Sequence, residues 1–183
     1  MATNDARSRL GALLLDNLWP GLDQVGLNVV EYDPEWLSPC QMGEPTPDGM
    51  IRWKPVPMEQ EPDFAELENA LAEIGTTLHP DVLALYGSFW CGVVDGLEHS
   101  GESVSLCTLW NEEELGQTVR GLAEHARRQA AESGSDINFP VASTYSDLFF
   151  VLDNATGGIL LQEGGHPGGQ LVAPSLAQFL AEL

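Results

Sequence analysis

The amino-acid sequence predicts an α+β protein in which helices flank a sheet that is mostly antiparallel or mixed. Two patterns support this fold class. Residues 104–110 alternate with the period of two that a strand requires, and residues 62–74 place apolar side chains on one face at helical spacing. The chain of 183 residues shows no internal repeat. We therefore expect a single domain spanning residues 1–183.

The N-terminal segment 1–19 is predicted to form an amphipathic helix. Its apolar side chains follow helical spacing at Leu10, Leu13, Leu14 and Leu18. We expect Pro20-Gly21 to end this helix, since proline and glycine are the strongest helix breakers. Residues 21–49 are rich in proline, glycine and acids, so they are predicted to form an irregular loop before the α+β core at 50–183.

The core is predicted to combine short strands with helices of different lengths. Strands are predicted at 50–56, 89–97, 104–110, 139–144, 148–152 and 159–161. Helices are predicted at 62–74, after His79-Pro80-Asp81, at 112–132 with Asn111 as N-cap, and at 175–183. The turn-prone residues 99–101 join two of the strands into a hairpin. The glycine-rich residues 164–169 are predicted to form a flexible loop.

The charge of the chain is strongly negative. It carries 28 acidic residues against 7 lysines and arginines, a net charge of −21. Residues 55–119 hold thirteen acids and no lysine or arginine. Such a field repels nucleic acid and anionic lipid and speeds association with basic partners. We expect a basic protein partner and no direct binding to nucleic acid or lipid, although acidity that serves only solubility or salt tolerance is an alternative.

The sequence offers no motif with a catalytic mechanism. Its glycines lack the context of a phosphate-binding loop, and Cys40, Cys91 and Cys107 lack zinc-site spacing. We therefore expect a non-enzyme with no cofactor and no metal site, and a hydrolase using Asp95, Glu98 or Cys40 is kept as an alternative. No segment resembles a signal peptide or reaches the length of a membrane span, so we expect a cytosolic chain with reduced thiols.

The candidate partner-binding residues lie at the ends of predicted elements beside the central strands. Side chains from separate elements can converge there into one site. The predicted acids are Glu61, Asp63, Asp95, Glu98, Glu112, Glu113 and Glu114, together with Trp53 and Trp110. Tryptophan beside carboxylates suits a lysine or arginine ligand, through charge pairing and cation–π contact.

Four segments, in this order and spacing, carry a family resemblance. They are Ser38-Pro39-Cys40, residues 51–57 followed by the acidic residues 59–68, residues 105–114, and residues 175–180. Together they resemble the family of the SecY-interacting protein Syd, which is related to the SUKH immunity-protein superfamily. The resemblance covers the chain, with the poorest match in the loop before Trp53 and at residues 164–169.

The resemblance implies a SUKH-like, cytoplasmic protein that is peripheral on the cytoplasmic face of the bacterial inner membrane. We also expect the protein to be a monomer. It implies binding to basic cytosolic loops of SecY, the protein-export channel, through an acidic concave groove, with a role in monitoring translocon assembly. The alternative is a SUKH-type immunity protein that neutralises a basic toxin nuclease.

Overall fold

The computed structural model describes residues 2–99, 102–134, 136–146, 148–163 and 168–183. Its helices are α1 (Ala2–Gly11), α2 (Trp19–Val25), α3 (Ala65–Glu73), α4 (Pro80–Tyr86), α5 (Glu112–Ser133) and α6 (Leu176–Ala181), with a π-helical segment at Ala12–Leu18. Its strands are β1 (Val29–Glu31), β2 (Gln41–Met42), β3 (Met50–Trp53), β4 (Val56–Pro57), β5 (Phe89–Trp90), β6 (Val94–His99), β7 (Glu102–Leu106), β8 (Asn138–Thr144), β9 (Leu148–Asp153), β10 (Ile159–Glu163) and β11 (Gln170–Ala173).

The strands form three sheets whose named pairs are all antiparallel. The largest sheet has six strands in the order β11-β10-β9-β8-β7-β6, so each of these strands pairs with its neighbour in sequence. Strands β1, β3 and β2 form a second sheet, and β4 pairs with β5 in a third. This combination of helices and antiparallel sheets confirms the predicted α+β class.

The N-terminal helix continues past the position where we expected it to end. The predicted apolar stripe is confirmed, because Leu10, Leu13 and Leu14 are buried. Pro20, however, lies inside this continuous helical run, two residues after the π-helical segment, and does not end it. The helix ends instead at Gly26, whose φ of 70° is the left-handed conformation that glycine adopts easily.

The segment 21–49 contains two strands that we did not predict. Strand β1 pairs with β3 through Val30 and Ile51, and β2 pairs with β3 through Gln41 and Trp53. These strands have three and two residues, too few to show a period of two in the sequence.

The hairpin of β6 and β7 is confirmed, but the predicted strands around it were too long. Phe89-Trp90 forms the separate strand β5, which pairs with β4. Strand β7 ends at Leu106, and Leu109 then makes a parallel bridge to Trp90. Residues 100 and 101 of the predicted turn lie outside the described residues. The chain from 107 to 110 therefore runs alongside β5 towards the start of α5.

The predicted strand at 50–56 is divided into β3 and β4, which lie in different sheets. The later elements match the prediction closely, with one addition. Strands β8, β9 and β10 and helices α3, α5 and α6 lie within one to three residues of their predicted bounds. Strand β11 pairs with β10 directly after the predicted glycine loop, of which residues 164–167 lie outside the described residues. Helix α6 packs onto the sheet, since the ring centroids of Phe179 and Phe150 are 4.9 Å apart.

Candidate functional site

A groove with a volume of about 1060 Å³ lies between the loop at 35–39, the segment from β4 to the start of α3, and the first half of α5. Seven carboxylates line it, contributed by Glu35, Glu59, Glu61, Asp63, Glu66, Glu112 and Glu113. The lining residues within the described ranges include one base, Arg120. We call this site the acidic groove.

The loop that forms one wall of the acidic groove is held against the start of α5. The indole Nε1 of Trp110 donates to the carbonyl of Trp36 at 3.1 Å, and the side-chain amide of Asn111 donates to the carbonyl of Leu37 at 2.9 Å. The hydroxyl of Ser38 donates to the carbonyl of Trp110. These side-chain bonds fix an otherwise irregular segment beside the acids at the start of α5.

The start of α5 forms the second wall. Asn111 caps the helix, because its Oδ1 accepts from the backbone N–H of Glu114 at 2.9 Å, as predicted from the sequence. The carboxylate of Glu114 turns back and accepts from the backbone N–H of Trp110 at 2.5 Å. Glu112 and Glu113 stay exposed and line the groove. The positive end of the helix dipole stabilises carboxylates at this position.

The third wall is the segment that leads from β4 into α3. Strand β4 pairs with β5, and the N–H of Met58 donates to the carbonyl of Ser88 at 2.9 Å. At the other end of the segment, Oδ1 of Asp63 accepts from the N–H of Ala65 at 2.9 Å. Glu59 and Glu61 lie between these two anchors, exposed to solvent. The short β4–β5 pair also brings Trp90 into the lining.

The acids of the groove have little compensating charge. Among the described residues, the ion pairs join Arg127 to Glu73 and Arg52 to Asp23, and none of these four residues lines the groove. Arg120 lies over its own helix, since a Cβ built on Gly116 would be 3.7 Å from its Nη1. The arrangement is suited to hold several cations at once.

The structure brings together four of the seven predicted acids. Glu61, Asp63, Glu112 and Glu113 all line the acidic groove. Glu114 contributes its carboxylate to the cap of α5 instead. Three further acids line the groove that we did not predict as partner-binding: Glu35, Glu59 and Glu66. Glu59 and Glu66 lie in the acidic run 59–68, but no sequence pattern shows which acids of that run face the groove.

The predicted pair on the hairpin lies elsewhere. Asp95 is exposed in the edge strand β6 and does not line the acidic groove. Glu98 is opposite Ser103 in the β6–β7 register, and its side chain is outside the described part of the structure. The expectation that both acids converge with those of α3 and α5 is therefore corrected for Asp95, because β6 is the edge of the large sheet.

The tryptophans also need a correction. Trp53 is 2% exposed and packs against Trp19, with ring centroids 6.3 Å apart, so it presents no ring face to a partner. Trp110 is half-buried and uses its indole N–H to hold the loop at Trp36. Trp90 is the tryptophan that lines the groove. Its two-residue strand carries no periodic signal that would have identified it.

The thiols are poorly suited to nucleophilic chemistry. Burial raises the pKa of the Cys40 thiol to about 11, and burial raises the pKa of Cys107 to about 11 as well. A thiol becomes a nucleophile only as the thiolate, so both stay protonated and unreactive at neutral pH. Within the described residues, no three His, Cys, Asp or Glu side chains cluster closely enough to hold a metal ion. The helices of the same residues include none with the length and apolarity needed to cross a membrane.

Comparisons with known proteins agree on one family. The family model described as Syd protein (SUKH-2) matches residues 22–183. A relative named Protein Syd from Pseudoalteromonas atlantica is 31% identical over 156 residues, which are 84% of this chain and 82% of the relative. Protein Syd from Hahella chejuensis is 32% identical over 148 residues, 80% of this chain and 73% of the relative. Protein Syd from Aeromonas salmonicida is 30% identical over 159 residues, 86% of this chain and 84% of the relative.

Proposed function

Since this chain belongs to the Syd family, we propose that it is a non-enzymatic binding protein that receives basic cytosolic loops of the SecY protein-export channel in the acidic groove. It acts as a monomer, peripheral on the cytoplasmic face of the bacterial inner membrane, and monitors translocon assembly there. The family resemblance supports SecY as the partner.

The observation that carries the proposal is the convergence of acids from three separate segments. Glu35, Glu61 and Glu113 come from the loop at 35–39, the segment before α3 and the start of α5, and they line one groove with little compensating charge. An exposed ion pair contributes only about 0.2–1 kcal/mol, so useful affinity requires several carboxylates to act on one ligand. A flexible basic loop, which can present several lysines or arginines at once, satisfies that requirement.

The net charge also decides how the protein reaches a membrane. With a charge of −21, the chain is repelled by the anionic lipids of the cytoplasmic leaflet. The chain must therefore attach to the membrane by binding a membrane protein, and the positively charged cytosolic loops of a membrane channel are a suitable partner. The same field disfavours nucleic acid as a ligand.

The test is cosedimentation of the purified chain with three kinds of vesicle at low salt. These are proteoliposomes that contain SecY, proteoliposomes that contain an unrelated membrane protein, and protein-free phosphatidylglycerol vesicles. We expect the chain to sediment with the first kind alone. Sedimentation with the protein-free vesicles, or equal sedimentation with both kinds of proteoliposome, contradicts the proposal.

An immunity function would give a different result. A SUKH-type immunity protein would leave SecY vesicles unoccupied and would bind a soluble basic nuclease with the same acidic surface. Affinity capture from membrane extract and from the soluble fraction, with identification of the recovered proteins, separates the two functions: translocon subunits support our proposal, and a toxin nuclease supports the alternative.

A further inference from the structure

Apolar side chains lie in the acidic groove beside the carboxylates. Leu37 is 55% exposed at the groove, and its backbone carbonyl is fixed by Asn111. Pro39 and Pro57 are exposed, and Trp90 is half-buried, all in the same lining. A single exposed leucine is ordinary on a protein surface, but one held in place within a concave site that a tryptophan also lines indicates a contact surface.

The floor of the groove is apolar as well. Met58, Leu115 and Val119 line it and are 5%, 6% and 4% exposed, so their side chains form a closed base. These residues come from the segment after β4 and from α5, the elements that also carry Glu59, Glu112 and Glu113. Charged and apolar side chains therefore line one groove from the same two elements, so a single ligand can contact both.

We propose that the ligand of the acidic groove is a basic segment with an apolar side chain between its cations. The apolar side chain lies against Leu37 and Trp90, and the flanking lysines or arginines lie against Glu61, Glu112 and Glu113. This inference rests on the proposed function and adds a specificity to it. A ligand that carries charge alone would leave Leu37 and the ring of Trp90 in water.

The expected consequence is a binding reaction with two components. Charge attraction weakens as salt shortens the Debye length, from about 14 Å at 0.05 M to about 4 Å at 0.5 M. Apolar burial does not weaken with salt in this way. A segment that carries both features therefore keeps part of its affinity in high salt, whereas a purely basic segment loses nearly all of it.

The experiment uses two synthetic peptides of equal length and equal positive charge. One has leucines between its basic residues, and the other has serines at those positions. Binding to the full chain is measured at low and at high salt. We expect the leucine peptide to bind about tenfold more tightly at low salt, which is within what burial of one leucine side chain supplies. We also expect it to be the one peptide that still binds at 0.5 M salt, the condition under which exposed charges are screened.

A matched pair of variants tests whether Leu37 causes the preference for the leucine peptide. Leu37→Ser should reduce the preference for the leucine peptide to about twofold or less, since it removes the apolar contact. Leu171→Ser changes a leucine that is 60% exposed in β11 outside the groove, and it should leave the preference intact. Because both positions are on the surface, both variants should fold, which circular dichroism and urea unfolding will verify.

The outcomes distinguish this inference from the proposed function. Equal affinity of the two peptides for the unaltered chain, or an unchanged preference in Leu37→Ser, overturns the inference and leaves a groove that recognises charge alone. If neither peptide binds at low salt while SecY vesicles still recruit the chain, the apolar specificity is again wrong. Loss of SecY binding as well contradicts the proposed function.

Discussion

The side chain of Asn111 makes two hydrogen bonds that join the acidic groove to its scaffold. Its amide N–H donates to the carbonyl of Leu37 at 2.9 Å, and its Oδ1 accepts from the N–H of Glu114 at 2.9 Å. One residue therefore caps α5 and positions the loop that forms the opposite wall. Asn111 shares this role with Trp110 and Ser38, whose side-chain hydrogen bonds also hold the loop at 35–39, a segment that contains no strand.

We expect Asn111→Ala to destabilise the fold more than the loss of an ordinary helix cap does. The cap contributes about 1 kcal/mol, and the bond to Leu37 adds about 1 kcal/mol. The control is Ser175→Ala. Ser175 caps α6, because its hydroxyl accepts from the N–H of Gln178, and the substitution removes this bond. Urea unfolding should show a loss of about 2 kcal/mol for the first variant and about 1 kcal/mol for the second. Equal losses would mean that the bond to Leu37 contributes nothing.

Neutralising acids inside the groove should weaken partner binding more than neutralising acids elsewhere. The test variant is Glu61→Gln with Glu112→Gln, and its control is Glu132→Gln with Asp136→Asn, two exposed positions outside the groove. Two exposed ion pairs at about 0.2–1 kcal/mol each correspond to a loss of about 2- to 30-fold in affinity. The control should change affinity by less than about twofold on the same scale. Equal effects, measured by titration calorimetry, would show that net charge alone attracts the partner.

A substitution of Asp95, the exposed acid of β6, tests whether the partner binds at the groove or at the hairpin. Asp95 lies outside the groove lining, whereas Glu61 lies within it. We expect Asp95→Asn to leave affinity for SecY vesicles nearly unchanged and Glu61→Gln to reduce it. A larger loss from Asp95→Asn would move the binding surface to the edge of the large sheet.

Removal of the one base in the groove lining should strengthen binding. Arg120→Gln removes a positive charge that repels the incoming cations, by about 0.2–1 kcal/mol, which is a gain of about 1.4- to 5-fold. Arg128→Gln is the control, since this arginine lies on the same helix outside the lining and contacts His125 at 3.0 Å. Both variants make the net charge one unit more negative. A similar gain in both would indicate a long-range charge effect, and weaker binding in Arg120→Gln would make this arginine part of the ligand contact.

Two glycine-to-alanine variants should change stability in opposite directions. A Cβ at Gly92 would lie 2.5 Å from Cε2 of the buried Trp53, so Gly92→Ala should cost about 1–3 kcal/mol through overpacking. Gly121, inside α5, has no such neighbour within 4 Å, and Gly121→Ala should gain about 1 kcal/mol in helix propensity. Urea unfolding measures both. A neutral Gly92→Ala would mean that Trp53 shifts freely, against the packing described above.

Asp81 should make a pH-dependent contribution to stability. It is 2% exposed, and its Oδ1 has no hydrogen-bond partner among the described residues. Burial raises its pKa, aided by the nearby Asp5 and opposed by His79 and by the N–H of Leu176. The folded state therefore holds this proton more tightly than the unfolded state, and the resulting stabilisation is lost as the pH rises through the folded-state pKa.

Replacing that carboxyl by a neutral amide removes this dependence. We compare the free energy of unfolding of Asp81→Asn with that of the unaltered chain at two pH values. The difference in favour of Asp81→Asn should be larger at pH 7 than at about pH 4, near the ordinary pKa of aspartate. Urea unfolding at both pH values measures the change, with the exposed Asp16→Asn as control. A difference between variant and unaltered chain that does not vary with pH would show that Asp81 ionises alike in both states.

The sequence by itself determined the features that repeat within one element or that sum over the whole chain. Helices α3 and α5 are long enough for their apolar period to show, and Asn111 is in the expected capping position. The hairpin of β6 and β7 follows from its alternation and its turn residues. Net charge needs no structure, and it already indicated a basic partner. Three of the four segments that carried the family resemblance contribute residues to the groove lining, and residues 175–180 do not.

Only the tertiary structure decided which of those features meet. Glu35, Glu61 and Glu113 are far apart in sequence and become neighbours because Asn111 and Trp110 hold the loop at 35–39 against α5. Trp90 lies in the groove and Trp53 lies in the core, and the strands that place them have only two and four residues. Periodicity reports which face of one element is buried, but it contains no information on which element covers that face. Long-range hydrogen bonds and packing between separate segments supply that choice, and they form only when the whole chain folds.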